Sequence, residues 1–267
     1  MQHIDSLDFP ELAAYRTMKF QGEQRAQGIF VAESEKTVRR LLESELGVVS
    51  LVLPEGLLPD FQELLTARKE MIRIYCAPRN VLEQLTGFQM YQGVMAVGRV
   101  PKEPTLDSIL KNSPAPLLLV AADGIANSQN VGVLVRNCAA FSATAFLAAE
   151  NSCSPWLRRA VASSVGMIFK MPAIELQNLC ETLRELKRRG IWCVAAHPHT
   201  DKRTVMDADF RRDVCVVFGA EGEGIRPEVL EVCDEAVAIP MAAGVDSLNV
   251  GSASAVFLYE VARQRGL

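Results

Sequence analysis

The chain has 267 residues, of which 49% are hydrophobic, and a formal net charge of -4 at pH 7. This composition supplies enough apolar surface for one large domain or two modest ones, and it excludes a chain that is mainly disordered. The slightly acidic balance excludes a strongly basic nucleic-acid-binding protein, so any contact with RNA has to come from local patches of charge.

The first hundred residues alternate between strand and helix patterns. Short apolar runs predict strands, and apolar residues three or four positions apart predict helices. Helices are predicted at 10–18, after a capping serine at 34, at 57–67 and at 80–85, and strands at 28–32, 48–53, 72–76 and 94–97. Strands separated by helices favour βαβ units, so residues 1–100 are predicted to form a small α/β domain.

A stretch with prolines at both ends separates this region from the rest of the chain. Proline disfavours the interior of helices and sheets alike, so residues 101–116 are predicted to be a linker, with a short helix at 106–111. Residues 117–267 then form a second predicted domain.

The second domain begins with an all-apolar run at 117–122, which is typical of a strand buried on both faces of a parallel sheet. Further strands are predicted at 145–148, 191–196, 214–218 and 236–239, and helices at 131–141, 155–163 and 179–189. This alternation predicts a second α/β domain with a mostly parallel sheet.

Three polar segments each follow a predicted strand of this domain. The first, residues 123–137, carries Asn130 and Arg136 on the following helix. Arg136 stands in an otherwise apolar stretch, so it needs a partner, and a phosphate or a carboxylate suits its planar guanidinium. A capped helix with one solvated arginine is the alternative interpretation.

The second segment, residues 216–225, contains three glycines within six positions after a strand, an arrangement that permits close approach of the backbone to a ligand. Their order, GxxGxG, differs from the GxGxxG of dinucleotide-binding folds. The third segment, residues 239–260, places Asp246 and Ser247 at the predicted start of a helix, where either is a typical N-cap. Because ligands of open α/β sheets bind at the carboxyl ends of the strands, we expect the three segments to meet in one site.

In their order and spacing the three segments resemble the signature motifs of the SpoU (TrmH-like) RNA 2′-O-ribose methyltransferases of the SPOUT superfamily. The resemblance covers residues 117–267 and extends more loosely to residues 28–38 and 91–97, which look like the family's RNA-binding domain. It implies a trefoil-knotted methyltransferase domain with a mostly parallel sheet, preceded by a small α/β RNA-binding domain. It also implies S-adenosyl-L-methionine as cofactor, structured RNA (rRNA or tRNA) as substrate, and a homodimer.

The resemblance assigns roles to the residues of this sequence that match the family's motifs. The implied cofactor contacts are Gly219, Ala220, Ile239, Met241 and Leu248. The implied catalytic positions are Asn130, Arg136, Glu221, Ser247 and Asn249.

The implied reaction is in-line transfer of the sulfonium methyl group to a ribose 2′-hydroxyl. A guanidinium, with a pKa above about 12, is a poor base. We therefore interpret Arg136, acting in its own or the partner's site, as a clamp on the adjacent RNA phosphate that polarises the hydroxyl. The phosphate or water then accepts the proton, while Glu221, Ser247 and Asn249 orient the arginine and the ribose.

One departure from the family pattern supports an alternative function. Asn127 and Ser128 stand where Asp-Pro is usual, and this change favours a non-catalytic RNA-binding relative that keeps the fold and the cofactor pocket. A nucleotide-binding oxidoreductase is a third possibility, which the glycine order disfavours.

The remaining signals concern metals and compartment. His197 and His199 flank a proline, but without a third ligand at a suitable spacing they favour a surface turn over a metal site. The seven scattered cysteines include no CxxC pair and favour reduced thiols. No apolar run approaches the roughly 18 residues that span a bilayer. We therefore expect a cytoplasmic protein without metal or membrane segment.

Overall fold

The computed structural model describes residues 1–6, 9–17, 21–86, 93–200 and 203–266. These residues form two compact units, one made of Met1–Lys102 and Trp156–Lys170, the other of Glu103–Pro155 and Met171–Leu267. Residue 18 of the first predicted helix, and residues 91–92 of the segment compared with an RNA-binding domain, lie outside the described residues. The division into an RNA-binding domain at 1–100, a linker at 101–116 and a methyltransferase domain at 117–267 stays a prediction.

The helices and strands largely alternate, as the sequence predicts, and include short ones that it did not predict, at Gln2–His3, Gln21–Ala26, Ala173–Glu175 and Pro227–Val232. Up to residue 102 they are β1 (Gln2–His3), α1 (Ala13–Arg16), α2 (Gln21–Ala26), β2 (Ile29–Glu33), α3 (Glu35–Leu42), β3 (Val48–Leu53), α4 (Gln62–Ala67), β4 (Arg73–Cys76), α5 (Arg79–Thr86) and β5 (Met95–Arg99), with 3-10 helices at Pro10–Leu12 and Glu55–Phe61. Beyond it they are α6 (Leu106–Asn112), β6 (Leu118–Asp123), α7 (Ser128–Ala140), β7 (Ala145–Ala148), α8 (Arg158–Ser163), β8 (Ala173–Glu175), α9 (Leu179–Arg188), β9 (Trp192–Ala196), β10 (Val214–Gly219), α10 (Pro227–Val232), β11 (Glu235–Val237) and α11 (Val250–Gln264), with a 3-10 helix at Met167–Phe169.

The first unit is built on a mixed five-stranded sheet in the order β1-β4-β3-β5-β2. Helix α8 belongs to this unit, because the aromatic residues that flank it pack on β2. The rings of Trp156 and Phe169 lie 5.2 and 5.4 Å from that of Phe30. Arg158 is only 8% exposed, and its Nη1 lies 2.7 Å from Glu33 Oε2. A buried guanidinium needs such a partner, because an unpaired buried charge is costly.

The second unit is built on six strands in the order β11-β9-β10-β6-β7-β8. Every neighbouring pair among them runs parallel. All residues of β6 are buried, as the apolar run predicted for a strand covered on both faces. The predicted α/β fold with a mostly parallel sheet is therefore confirmed, whereas the threading of the chain into a knot stays a prediction.

Helix α11 begins later than the sequence predicted. Asp246 and Ser247 do not cap it; Asn249 does, and its Oδ1 accepts a hydrogen bond from the backbone N–H of Gly251 at 2.9 Å. The residues from Val245 to Asn249 have no helical or strand conformation. The helix is delayed because this stretch of chain lines a cavity instead, as described below.

No helix in the described part of the chain is long and apolar enough to cross a membrane. All seven cysteines are free thiols.

Candidate active site

The three polar segments meet at the edge of the second sheet where its parallel strands end. Asn249, which caps α11, bridges the other two segments through its side-chain amide. Its Nδ2 donates to Glu221 Oε1 in the loop after β10, and it lies 3.4 Å from Asn130 Oδ1 on α7. Side chains separated by 119 and 28 positions thus form one cluster. The convergence that the strand ends predicted is present.

A cavity of about 340 Å³ opens beside this cluster. Its wall includes all five residues to which the resemblance assigned the cofactor, namely Gly219, Ala220, Ile239, Met241 and Leu248. Phe218, Val250 and Phe257 add apolar surface. A cavity of this size, lined by both apolar and polar groups, is large enough for a small-molecule ligand.

The catalytic candidates divide into two sets. Glu221 and Ser247 line the cavity. Asn130 and Asn249 lie beside it, joined by the amide contact, and Asn130 is 8% exposed. The structure therefore brings four of the five together.

Arg136 lies outside the cluster. It is exposed on α7, does not line the cavity, and has no hydrogen-bond or ion-pair partner among the described residues. Its apolar neighbours, such as Leu134 and Val135, face the core while Arg136 faces outward, so its pairing with a phosphate or a carboxylate stays a prediction. Its guanidinium is thus available to a ligand from outside the subunit's own fold.

Arg136 is nevertheless held close to α11. The next residue, Asn137, donates from Nδ2 to Gly251 O and to Ser254 Oγ, both at 2.8 Å. A Cβ on Gly251 would lie 2.6 Å from Val133 Cγ1, so the two helices touch where α11 begins. This contact fixes α7 against the helix that carries the Asn249 cap.

The glycine loop after β10 closes on itself. The Ala220 N–H donates to Gly224 O at 3.0 Å, and the Gly224 N–H donates to Ala220 O at 2.9 Å. A Cβ at Gly219 would lie 2.3 Å from both Gly224 C and Ile225 N, which leaves no room for any side chain. The glycines were predicted to let the backbone approach a ligand. In the structure, Gly219 lets the loop pack against its own backbone.

A pair of residues that sequence reasoning missed anchors the far end of this loop. Asp123, fully buried at the end of β6, accepts from Arg226 Nε at 2.8 Å and from the Arg226 backbone N–H at 2.9 Å. Arg226 Nη2 also lies 2.8 Å from Glu150 Oε1. The charge-assisted pairs tie the loop to the neighbouring strand. In the sequence, the feature that could have indicated this pair is an aspartate at the end of an apolar strand.

The SpoU rRNA Methylase family model matches residues 117–259, a stretch longer than half of the chain. The chain belongs to the SpoU rRNA methylase family. One relative, the 23S rRNA (guanosine-2'-O-)-methyltransferase RlmB of Ralstonia nicotianae, is 36% identical over 198 residues, which cover 73% of this chain and 79% of the relative. The family predicted from the three motifs is confirmed.

Solved structures of SpoU methyltransferases share the fold over nearly the whole chain. AviRb from Streptomyces viridochromogenes superimposes with a TM-score of 0.82 and 26% identity, covering 95% of this chain and 96% of AviRb. AviRb in complex with the cofactor AdoMet gives a TM-score of 0.84 at 24% identity, covering 96% and 98%. The likeness therefore extends beyond the part of the chain that the family model matches.

Two further features of this SpoU site lay outside the sequence-based prediction. The turn that holds His197 and His199 lines the cavity, although its sequence favoured a surface turn without a role. It follows β9, which neighbours β10, so a fourth segment also lies at the strand ends where ligands bind. Asn127, the departure from the family pattern, caps α7: its Oδ1 accepts from the Gln129 N–H at 2.9 Å.

No group of three or more potential His, Cys, Asp or Glu ligands is arranged to hold a metal ion within the described ranges.

Replacing Asn249 with alanine is expected to lower both stability and turnover. The change removes the N-cap of α11, worth about 1 kcal/mol in the free energy of unfolding, and it releases Glu221 and Asn130 from their shared amide. Asn249→Ser is the matched control, because serine keeps a capping oxygen but cannot donate an amide to Glu221. Urea unfolding should show recovery of stability in the serine variant, while methyl transfer stays low in both. Full turnover in Asn249→Ser would show that the reaction does not need the Asn249 amide.

Proposed function

We propose that this chain methylates the 2′-hydroxyl of a guanosine ribose in 23S rRNA, with S-adenosyl-L-methionine as methyl donor. The observation that carries the proposal is the cavity whose wall contains all five implied cofactor residues, next to the cluster of Asn130, Glu221 and Asn249. The substrate follows from the relative in Ralstonia nicotianae, which is named for that reaction on 23S rRNA.

The residues around the cavity suit an adenosine-like ligand with a polar tail. Phe218, Ile239 and Phe257 offer apolar surface for a flat base. Gly219 and Ala220 bring the backbone to the wall without a bulky side chain, and Leu248, 39% exposed, closes the rim. When bound, the methyl donor would supply an electrophilic methyl group: the ribose oxygen would bond to the methyl carbon as the carbon–sulfur bond breaks and the neutral thioether leaves.

Arg136 acts on the phosphate next to the ribose, and the polar residues beside the cavity act on the ribose itself. Arg136, exposed and unpaired within the described part of the chain, holds that phosphate and stabilises the negative charge that develops on the attacking oxygen. Glu221, Ser247 and Asn249 orient the ribose beside the cavity. The proton leaves to the phosphate or to water, because a guanidinium does not accept it. Most of the rate enhancement in this scheme comes from positioning.

The proposal includes a homodimer in the cytoplasm, with the first unit contributing to RNA binding. Support for a second subunit comes from apolar side chains that α11 leaves exposed, Tyr259 at 58% and Val256 at 37%. Exposed apolar surface of this kind is typical of an interface. Arg136, on the helix that packs against α11, would then serve its own site or the partner's.

Two measurements test the proposal together. Calorimetry with S-adenosyl-L-methionine should show one site per subunit, and labelled methyl groups should enter protein-free 23S rRNA as 2′-O-methylguanosine, identified by nucleoside mass spectrometry. Transfer to tRNA instead would redirect the substrate assignment. Cofactor binding without transfer to either RNA would favour the non-catalytic relative, and binding of NAD in place of the methyl donor would favour the oxidoreductase.

A further inference from the structure

The turn after β9 forms one wall of the cavity. His197, Pro198 and His199 all line it. The His197 backbone N–H donates to Val237 O at 3.0 Å, so the turn is tied to the end of β11. It thus belongs to the same strand edge as the glycine loop and cannot be regarded as a separate surface feature.

The geometry of the turn fixes where the His197 ring carries its proton. Nδ1 of His197 accepts a hydrogen bond from the backbone N–H of His199 at 3.2 Å. A ring nitrogen that accepts has no proton of its own, so the neutral ring is protonated on Nε2. The two imidazole rings meet edge to face with centroids 6.0 Å apart. A proton added to Nδ1 would break the hydrogen bond that shapes the turn.

The charged side chains that line the cavity are acidic. Glu221 and Glu223 line the cavity from the loop after β10, and Asp246 lines it from the segment before α11. No lysine or arginine lines it among residues 1–6, 9–17, 21–86, 93–200 and 203–266. Burial, and after it the neighbouring His199, lowers the pKa of His197, so its ring is uncharged at neutral pH.

We propose that the His197–Pro198–His199 turn is a specificity determinant of the cofactor site, where a neutral His197 ring and three carboxylates favour a cationic sulfonium ligand over its neutral thioether product. The inference rests on the proposed function. S-adenosyl-L-methionine carries a sulfonium, an ammonium and a carboxylate, a net charge of about +1 by their ordinary pKa values, whereas S-adenosylhomocysteine has lost the sulfonium charge. Selection of the cation would limit inhibition by the product.

The sign of the pH dependence follows from the same geometry. As the pH falls through the pKa of His197, the ring in the cavity wall gains a positive charge and the His199 N–H loses its acceptor. The charge opposes binding of the sulfonium ligand and has little effect on the neutral thioether. The affinity for S-adenosyl-L-methionine should therefore fall more steeply with acidification than the affinity for S-adenosylhomocysteine.

Titration calorimetry of the full chain with each ligand, from about pH 8 to about pH 5.5, tests this directly. Because the pKa of His197 lies below its ordinary value, its protonation is only partly complete at pH 5.5, so we expect the Kd of S-adenosyl-L-methionine to rise about three- to fivefold over this range. The Kd of S-adenosylhomocysteine should stay within about twofold of its value at pH 8. In His197→Asn the side-chain oxygen can still accept from the N–H two residues on, but it does not titrate, so the difference between the two ligands should no longer change with pH. His197→Lys should weaken the sulfonium ligand at every pH.

His3→Gln is the matched control, because His3 does not line the cavity, so the pH dependence of this variant should match that of the unmodified chain. Glu221, Glu223 and Asp246 are present in both the unmodified chain and His197→Asn, so the difference between the two isolates the ring. A ratio of the two Kd values that does not change with pH, or that changes equally in His197→Asn, would overturn the inference alone. Absence of binding by either ligand at any pH would overturn the proposed function as well.

Discussion

Replacing Arg136 with alanine is expected to lower kcat for methyl transfer by about 10²- to 10³-fold, the usual cost of losing one group that stabilises developing negative charge. Binding of S-adenosyl-L-methionine should stay within about twofold of its original Kd, because Arg136 does not line the cavity. Since the side chain is exposed and unpaired within the described residues, its removal should leave the unfolding free energy almost unchanged.

Single-turnover kinetics with cofactor and RNA both saturating measures this effect. Arg184→Ala is the matched control, because Arg184 is an exposed arginine on α9, a helix that carries none of the proposed site residues. Arg136→Lys should recover part of the rate, since lysine restores the charge without the planar fork. Full turnover in Arg136→Ala with both substrates saturating would show that the clamp is not part of the reaction.

Replacing Gly219 with alanine is expected to disable the cofactor site. The added Cβ would sit 2.3 Å from backbone atoms of Gly224 and Ile225, so the loop between β10 and α10 has to move. We expect the Kd of S-adenosyl-L-methionine to rise about 10- to 100-fold, which corresponds to roughly 1.4–2.8 kcal/mol. Overpacking of this kind should also lower the free energy of unfolding by about 1–3 kcal/mol.

Gly222 provides the control within the same loop. A Cβ at Gly222 meets nothing within 4 Å, and its backbone is not in the left-handed region. Gly222 also lines the cavity, but the added methyl group meets no protein atom, so Gly222→Ala should keep an unchanged unfolding midpoint and weaken cofactor binding less than Gly219→Ala does. Calorimetry and urea unfolding of the two variants side by side measure both effects. Equal binding by the two variants would mean that the loop is not a wall of the site.

The strand edge of the second unit was predictable because its signals are local. A long apolar run followed by a polar segment marks a buried parallel strand and its carboxyl end, and the run at 117–122 shows both. The elements missed are short or lack a pattern. Strand β8 has three residues, too few for periodicity, and α10 has six and begins at a proline directly after the glycine loop.

The detailed site was only partly predictable because its contacts join distant parts of the chain. The direction in which Arg136 faces depends on which side of α7 packs against the sheet and α11, which its apolar neighbours in the sequence do not show. The partner of Asp123 stands 103 positions away, so nothing near Asp123 in the sequence indicates Arg226. The cap of α11 shifted to Asn249 because residues before it line the cavity. Tertiary packing decides each of these points.

The most direct test of the central claim is a ribose-methylation map of 23S rRNA from cells with and without this gene. We expect one 2′-O-methylguanosine to be lost on deletion, to be restored by the unmodified chain, and not to be restored by Arg136→Ala expressed at the same level. An unchanged map, or restoration by Arg136→Ala, would contradict the assignment of this site to 2′-O-methylation of rRNA.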